Sequence, residues 1–86
     1  MEVAFKPVFI RQLKKLPHPL REEALEKIES FKDPEHHSML KVHKLHGELR
    51  DYFSFSVNYR YRIIFQWEVR NKSAILLAIG DHAVYN

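Results

Sequence analysis

The apolar positions of the chain change period about half-way along it. "EVAF" opens with a short β-like alternation. In "PVFIRQLKKL", Phe9, Leu13 and Leu16 recur at i, i+4 and i+7, while Arg11, Lys14 and Lys15 fall off that stripe. This spacing predicts an amphipathic helix, begun by Pro7 where a missing N–H does no harm. "PHP" at 17–19 breaks it and starts another. In "LREEALEKIESF" the stripe is Leu20, Ala24, Leu25, Ile28 and Phe31, with Glu22 and Glu23 early in the helix, where its dipole favours anions. "KDP" at 32–34 ends it. The tight proline corner predicts an αα-hairpin.

After the polar "EHHSM" the period becomes two, from Leu40 onward. "KVHKLHGEL" is a strand candidate broken by Gly47. "DYFSFSV" places Phe53, Phe55 and Val57 on one face, and Tyr52, Ser54 and Ser56 on the other. "NYRYRIIFQW" places Tyr61, Ile63, Phe65 and Trp67 on one face, and Arg60, Arg62, Ile64 and Gln66 on the other. "EVRNK" reads as a hairpin turn. "SAILLAI" is apolar on both faces, as an interior strand would be. That strand is expected to stop at Ile79, with Gly80 turning the chain. The order β-α-α-β-β-β-β predicts a two-layer α+β fold. A helical hairpin packs on one face of a mostly antiparallel sheet of four to five strands. No helix remains for the other face, which is expected to be open and to carry Arg60 and Arg62.

Composition narrows the class. Eighty-six residues make one domain, spanning 1–86, and 45% hydrophobic with 13% aromatic residues is enough to fill a core. The absence of cysteine excludes disulfides and thiolate metal sites. The start of the chain has no secretory pattern, and "AILLAI" is too short to span a bilayer. A soluble, cytoplasmic protein with no membrane association is expected. The net charge of +3 arises in one place: residues 36–86 hold seven Lys and Arg against four acids, and five of the six histidines.

Two arginines at i, i+2 on one strand point the same way, so Arg60 and Arg62 suit adjacent phosphate oxygens. On the preceding strand candidate, Lys41 and His43 share one face, and Lys44 and His46 the other. One of these pairs is expected beside the arginines. His36–His37 and His43–His46 lack the third and fourth ligands that zinc requires, so no metal or other cofactor is assigned. His82 and Tyr85 follow the last strand. A histidine anchored at a strand end can give or take a proton near neutrality. The chain has no plausible Ser–His–Asp order, phosphate-binding glycine loop or paired carboxylates. Its imidazole, phenol, guanidinium and ammonium groups are the inventory of metal-free RNA cleavage.

The stretches "LHGELRDY", "YRIIF" and "AILLAIGDHAVY" together resemble the RelE/ParE superfamily of toxins from type II toxin–antitoxin pairs. The resemblance implies a small α+β toxin that cleaves mRNA in the ribosomal A site without metal and is silenced by a cognate antitoxin. It implies that Arg62 contacts the scissile phosphate, that His82 transfers a proton, that Tyr85 lies near the substrate and that His43 is a further catalytic histidine. Arg60, Lys41, Lys44 and His46 would then hold RNA phosphates. The chain departs from RelE in carrying phenylalanines and serines where RelE has strand lysines. It departs from the YafQ-like branch at Ser56 and Arg60, where that branch has a histidine and an aspartate. The general base is therefore open between His43, Lys41 and Lys44. Two other readings are a ParE-like inhibitor of DNA gyrase and an inactive RNA-binding remnant.

Overall fold

The computed structural model describes residues 1–68, 70 and 72–81. Strand β1 (Val3–Phe5) leads into α1 (Pro7–Lys15) and α2 (His18–Phe31). Strands β2 (His43–Lys44), β3 (Phe53–Ser56), β4 (Tyr61–Glu68) and β5 (Ser73–Asp81) follow. They form one sheet in the order β1-β5-β4-β3-β2, antiparallel except where β1 runs parallel to β5. The expected two-layer α+β fold is what the chain adopts. None of the described helices is long and apolar enough to cross a membrane.

Pro7 occupies the first turn of α1, and Lys14 and Lys15 lie in its last turn, where the helix dipole favours cations. The first helix is tied to β5 at two points. The Lys6 N–H donates to the Leu76 carbonyl at 3.0 Å, and the Ile79 N–H donates to Gln12 Oε1 at 2.9 Å. The second helix buries Ala24, Ile28 and Phe31. Leu25 was expected in this stripe but is 42% exposed. It sits one residue, about 100° of helix, away from Ala24, so the buried row is 20-24-28-31.

The core lies between the helices and the inner sheet face. Phe31 stacks on Phe55 at 4.2 Å between ring centroids and meets Phe65 edge-on at 4.8 Å. Ile63, Phe65 and Leu76 are fully buried, and Tyr61 and Trp67 pack against them. The alternation of the fourth strand thus places Tyr61, Ile63, Phe65 and Trp67 beneath the helices as expected. Two histidines serve this layer. His37 donates through Nε2 to the Phe31 carbonyl at 2.8 Å and stacks on the Phe31 ring, while His36 meets the Ser30 carbonyl through Nδ1 at 3.0 Å.

Three expectations are corrected by the sheet. The outer face is only partly open: Ile64 is 4% exposed and Ser54 is buried on it. Beyond β2, Leu45 is 5% exposed, and its N–H donates to the Tyr52 carbonyl at 2.9 Å, which extends the pairing with the chain before β3. Leu49 and Tyr52 share a groove with Ile64 and with Val8 and Arg11 of α1. The strand candidate "KVHKLHGEL", from Lys41, shrinks to His43–Lys44, because Lys41 (φ 58°) and Gly47 (φ 69°) adopt left-handed backbone on either side. Finally, Gly80 does not turn the chain. It continues β5, directly opposite Arg62, and the strand runs to Asp81.

Candidate active site

The site grows from the register of the sheet. Arg62 on β4 lies opposite Ser56 on β3 and Gly80 on β5. One row further, Ile64 lies opposite Ser54, and Ser54 lies opposite His43 on β2. Directly opposed residues project to the same side. Arg62 and His43 therefore share the face away from the helices. One strand stands between them, which sets their backbones roughly 10 Å apart across the sheet, within joint reach of one ligand. Gly80 has no side chain and Ser56 a small one, so neither neighbour in this row is bulky.

Two clefts meet at this point. One, of about 430 Å³, is lined by Lys27, Met39, Lys41, Tyr59 and the His43–Arg62 pair. The other, of about 390 Å³, is lined by Lys44, His46, Glu48 and the same pair. Among the described residues, His43 and Arg62 are the two that border both. The lysine–histidine pairs thus divide otherwise than expected: Lys41 serves one cleft, Lys44 and His46 the other, and His43 stands between.

Arg62 is 9% exposed, and no carboxylate among the described residues pairs with it. Burial pulls its pKa below the usual arginine value, and no neighbouring charge opposes that shift. A guanidinium remains charged nonetheless. A cation withdrawn from water without a counter-ion is a site that an anion stabilises.

Arg60 is different. It lies in the turn before β4, is exposed, and its Nε donates to Asp81 Oδ2 at 2.7 Å. Its guanidinium carbon stands 5.7 Å from the centre of the Tyr61 ring. The hydrogen bond and charge of Asp81 raise its pKa. The expected pair of parallel forks does not form, because Arg60 is engaged with the end of β5 and lines neither cleft.

The geometry fixes the tautomer of His43. Its Nδ1 lies 2.8 Å from the Lys41 carbonyl oxygen. A carbonyl can only accept, so the proton sits on Nδ1 and Nε2 of the neutral ring carries a free lone pair. Lys41, which supplies that carbonyl, has left-handed backbone with φ 58°. His82 and Tyr85 lie outside the described residues. No three metal-ligating side chains cluster among the described residues.

Sequence reasoning missed Lys27, Met39 and Tyr59. Lys27 reaches the cleft from α2, which no strand pattern reveals. Tyr59 sits on the β3–β4 turn, for which Asn58 was the legible signal: asparagine accepts from backbone N–H groups two and three residues on, and does so here.

Residues 10–82 match a family described as RelE-like toxin of the type II toxin–antitoxin system HigB. The chain belongs to this HigB-like family of RelE-like toxins. No curated protein sequence matches it. Solved structures share the toxin's fold at low identity. The RelBE2 toxin–antitoxin complex of Mycobacterium tuberculosis matches with a TM-score of 0.75 and 22% identity, over 94% of this chain and 96% of that one. The archaeal RelE–RelB complex of Pyrococcus horikoshii matches with 0.72 and 19%, over 93% and 92%. YafQ from E. coli matches with 0.67 and 14%, over 96% and 94%. The RelE/ParE resemblance read from "YRIIF" and its flanks is thereby shown, and with it the class of the protein, a type II toxin.

Proposed function

We propose that this toxin is an endoribonuclease that cuts mRNA on the ribosome by acid–base catalysis and needs no metal to do so. The observation that supports the reading most is Arg62, a mostly buried guanidinium, unpaired among the described residues, facing the same clefts as a histidine with a free Nε2.

The reaction follows from these groups. His43 Nε2 accepts the proton of a ribose 2′-OH. The 2′-oxygen attacks the adjacent phosphorus, and the bond from phosphorus to the 5′-oxygen breaks. His82 gives that leaving oxygen its proton, with Tyr85 beside the substrate. The products are a 2′,3′-cyclic phosphate and a 5′-hydroxyl. Arg62 holds the phosphoryl oxygens, where negative charge builds. Lys41, Lys44 and His46 bind flanking phosphates. Of the three candidates for the base, His43 is favoured because its lone pair is oriented while an ammonium has none to give.

The partner in this reading is a cognate antitoxin. Two of the similar structures are toxin–antitoxin complexes by description, RelBE2 and RelE–RelB. An acidic or amphipathic segment folding onto the cationic clefts would cover Arg62 and displace RNA. Incubating the toxin with translating ribosomes tests the activity. Cleavage of message that disappears in Arg62→Ala is expected. Growth arrest with intact message would move the toxin to the gyrase-binding class.

A further inference from the structure

Tyr59 is 96% exposed, the most exposed large apolar side chain among the described residues. It is not on a loose loop. Asn58 Oδ1 accepts from the N–H groups of Arg60 and Tyr61, both at 2.8 Å. Asn58 Nδ2 donates to Glu23 Oε1 on α2, also at 2.8 Å. The Val57 N–H closes the turn onto the Tyr61 carbonyl at 2.9 Å. One asparagine thus ties the turn to itself and to the helix layer, and the ring is held out in water at the wall of the larger cleft. The same cleft presents Lys27, Lys41 and Arg62, and no acid lines it among the described residues.

We propose that Tyr59 is a stacking platform for one base of a single-stranded RNA whose phosphates lie along Lys27, Lys41 and Arg62. This rests on the RNA-cleaving reading and adds a binding subsite to it. Bases stack on exposed aromatic rings beside cationic grooves with little regard to sequence, because every base offers a π-face. A preorganised turn loses little freedom when the base arrives. The site therefore fixes the nucleotide beside the one that reacts, and acts on binding rather than on proton transfer.

A 2′-O-methylated hexaribonucleotide, which cannot be cleaved, is the probe. It is titrated into isotopically labelled toxin at several salt concentrations. Upfield shifts of the Tyr59 ring protons are expected, as stacking produces. Tyr59→Ala should bind about tenfold more weakly, and Tyr59→Trp at least as tightly as wild type. The slope of log affinity against log salt should not change in Tyr59→Ala, because the ring releases no counter-ions. Tyr59→Ala binding within about twofold of wild type overturns the platform. So does an equal loss in Tyr59→Phe, which would mean a hydroxyl contact, and so does a wild-type toxin that ignores the probe. Cleavage of message on ribosomes by the same preparation is read separately. If it occurs without Tyr59-dependent binding, the platform fails and the nuclease stands. If binding depends on Tyr59 and no message is cut, the reverse holds.

Discussion

Arg62 and His43 stand on the same face of the sheet with one strand between them, and both border the same two clefts. The arginine is unpaired among the described residues and the histidine has one nitrogen committed to the Lys41 carbonyl. The pair supplies a fixed positive charge and an oriented lone pair. These are the two things that attack on a phosphodiester requires of a protein.

The charge leads to the first prediction. Arg62→Ala should lower message cleavage by about 10²–10³-fold, the loss typical of removing one fixed stabilising group. The fold should not suffer, since a mostly buried cation with no counter-ion among the described residues contributes little stability. Arg62→Leu should unfold at the same temperature or higher. Arg60→Ala should leave cleavage near wild type, because that side chain faces Asp81 rather than the clefts. Thermal melts and a ribosome cleavage assay on the three variants check the set.

His43 carries the second. Its neutral ring should show a protonated Nδ1 and a bare Nε2 in nitrogen-15 spectra. His43→Ala should reduce cleavage by about 10²–10⁴-fold with the melt unchanged. Spectra showing the opposite tautomer would remove His43 as the base.

Lys41 gives the third. Its φ of 58° is strained for a residue with a Cβ. Lys41→Gly should stabilise the toxin by roughly 0.5–1 kcal/mol in urea unfolding, while Lys41→Val should destabilise it and weaken the His43 hydrogen bond. A Lys41→Gly protein less stable than wild type would contradict the strain.

Much of this was legible in the residues. The two helices, the α+β layering and the inner row Tyr61-Ile63-Phe65-Trp67 follow from spacing alone. Leu25 was misplaced because the buried row on this helix is narrow, running through Ala24, Ile28 and Phe31, and Leu25 lies about 100° around from Ala24. The outer face was misjudged because a count of long helices says nothing of connections: Leu49 and Tyr52 border Ile64 from the β2–β3 connection, which holds only a short 3-10 turn at Gly47–Leu49. Arg60 and Arg62 have the right spacing to be twins, but the strand begins between them, at Tyr61, and Asp81 lies across the sheet where no local pattern shows it. Lys41 and Gly47 cut the second strand short through backbone angles, and a lysine gives no warning of a positive φ.

Buried Ser54 supplies a fourth prediction. Its Oγ lacks a hydrogen-bond partner among the described residues and lies in the row between His43 and Ile64. Ser54→Ala should be neutral or stabilising by up to about 1 kcal/mol, since no hydrogen bond is lost and a desolvated hydroxyl is removed. A clear loss in urea unfolding would reveal a partner for that hydroxyl. Phe31→Ala gives the scale for comparison: it opens the aromatic core and should destabilise by about 3–5 kcal/mol.

The most direct measurement is sequencing of mRNA 5′ ends after brief induction of the toxin and, in parallel, of Arg62→Ala. New ends at fixed positions within codons, present with the wild type and absent with the variant, are the predicted result. Intact message during growth arrest, or the same ends from Arg62→Ala, would contradict the account.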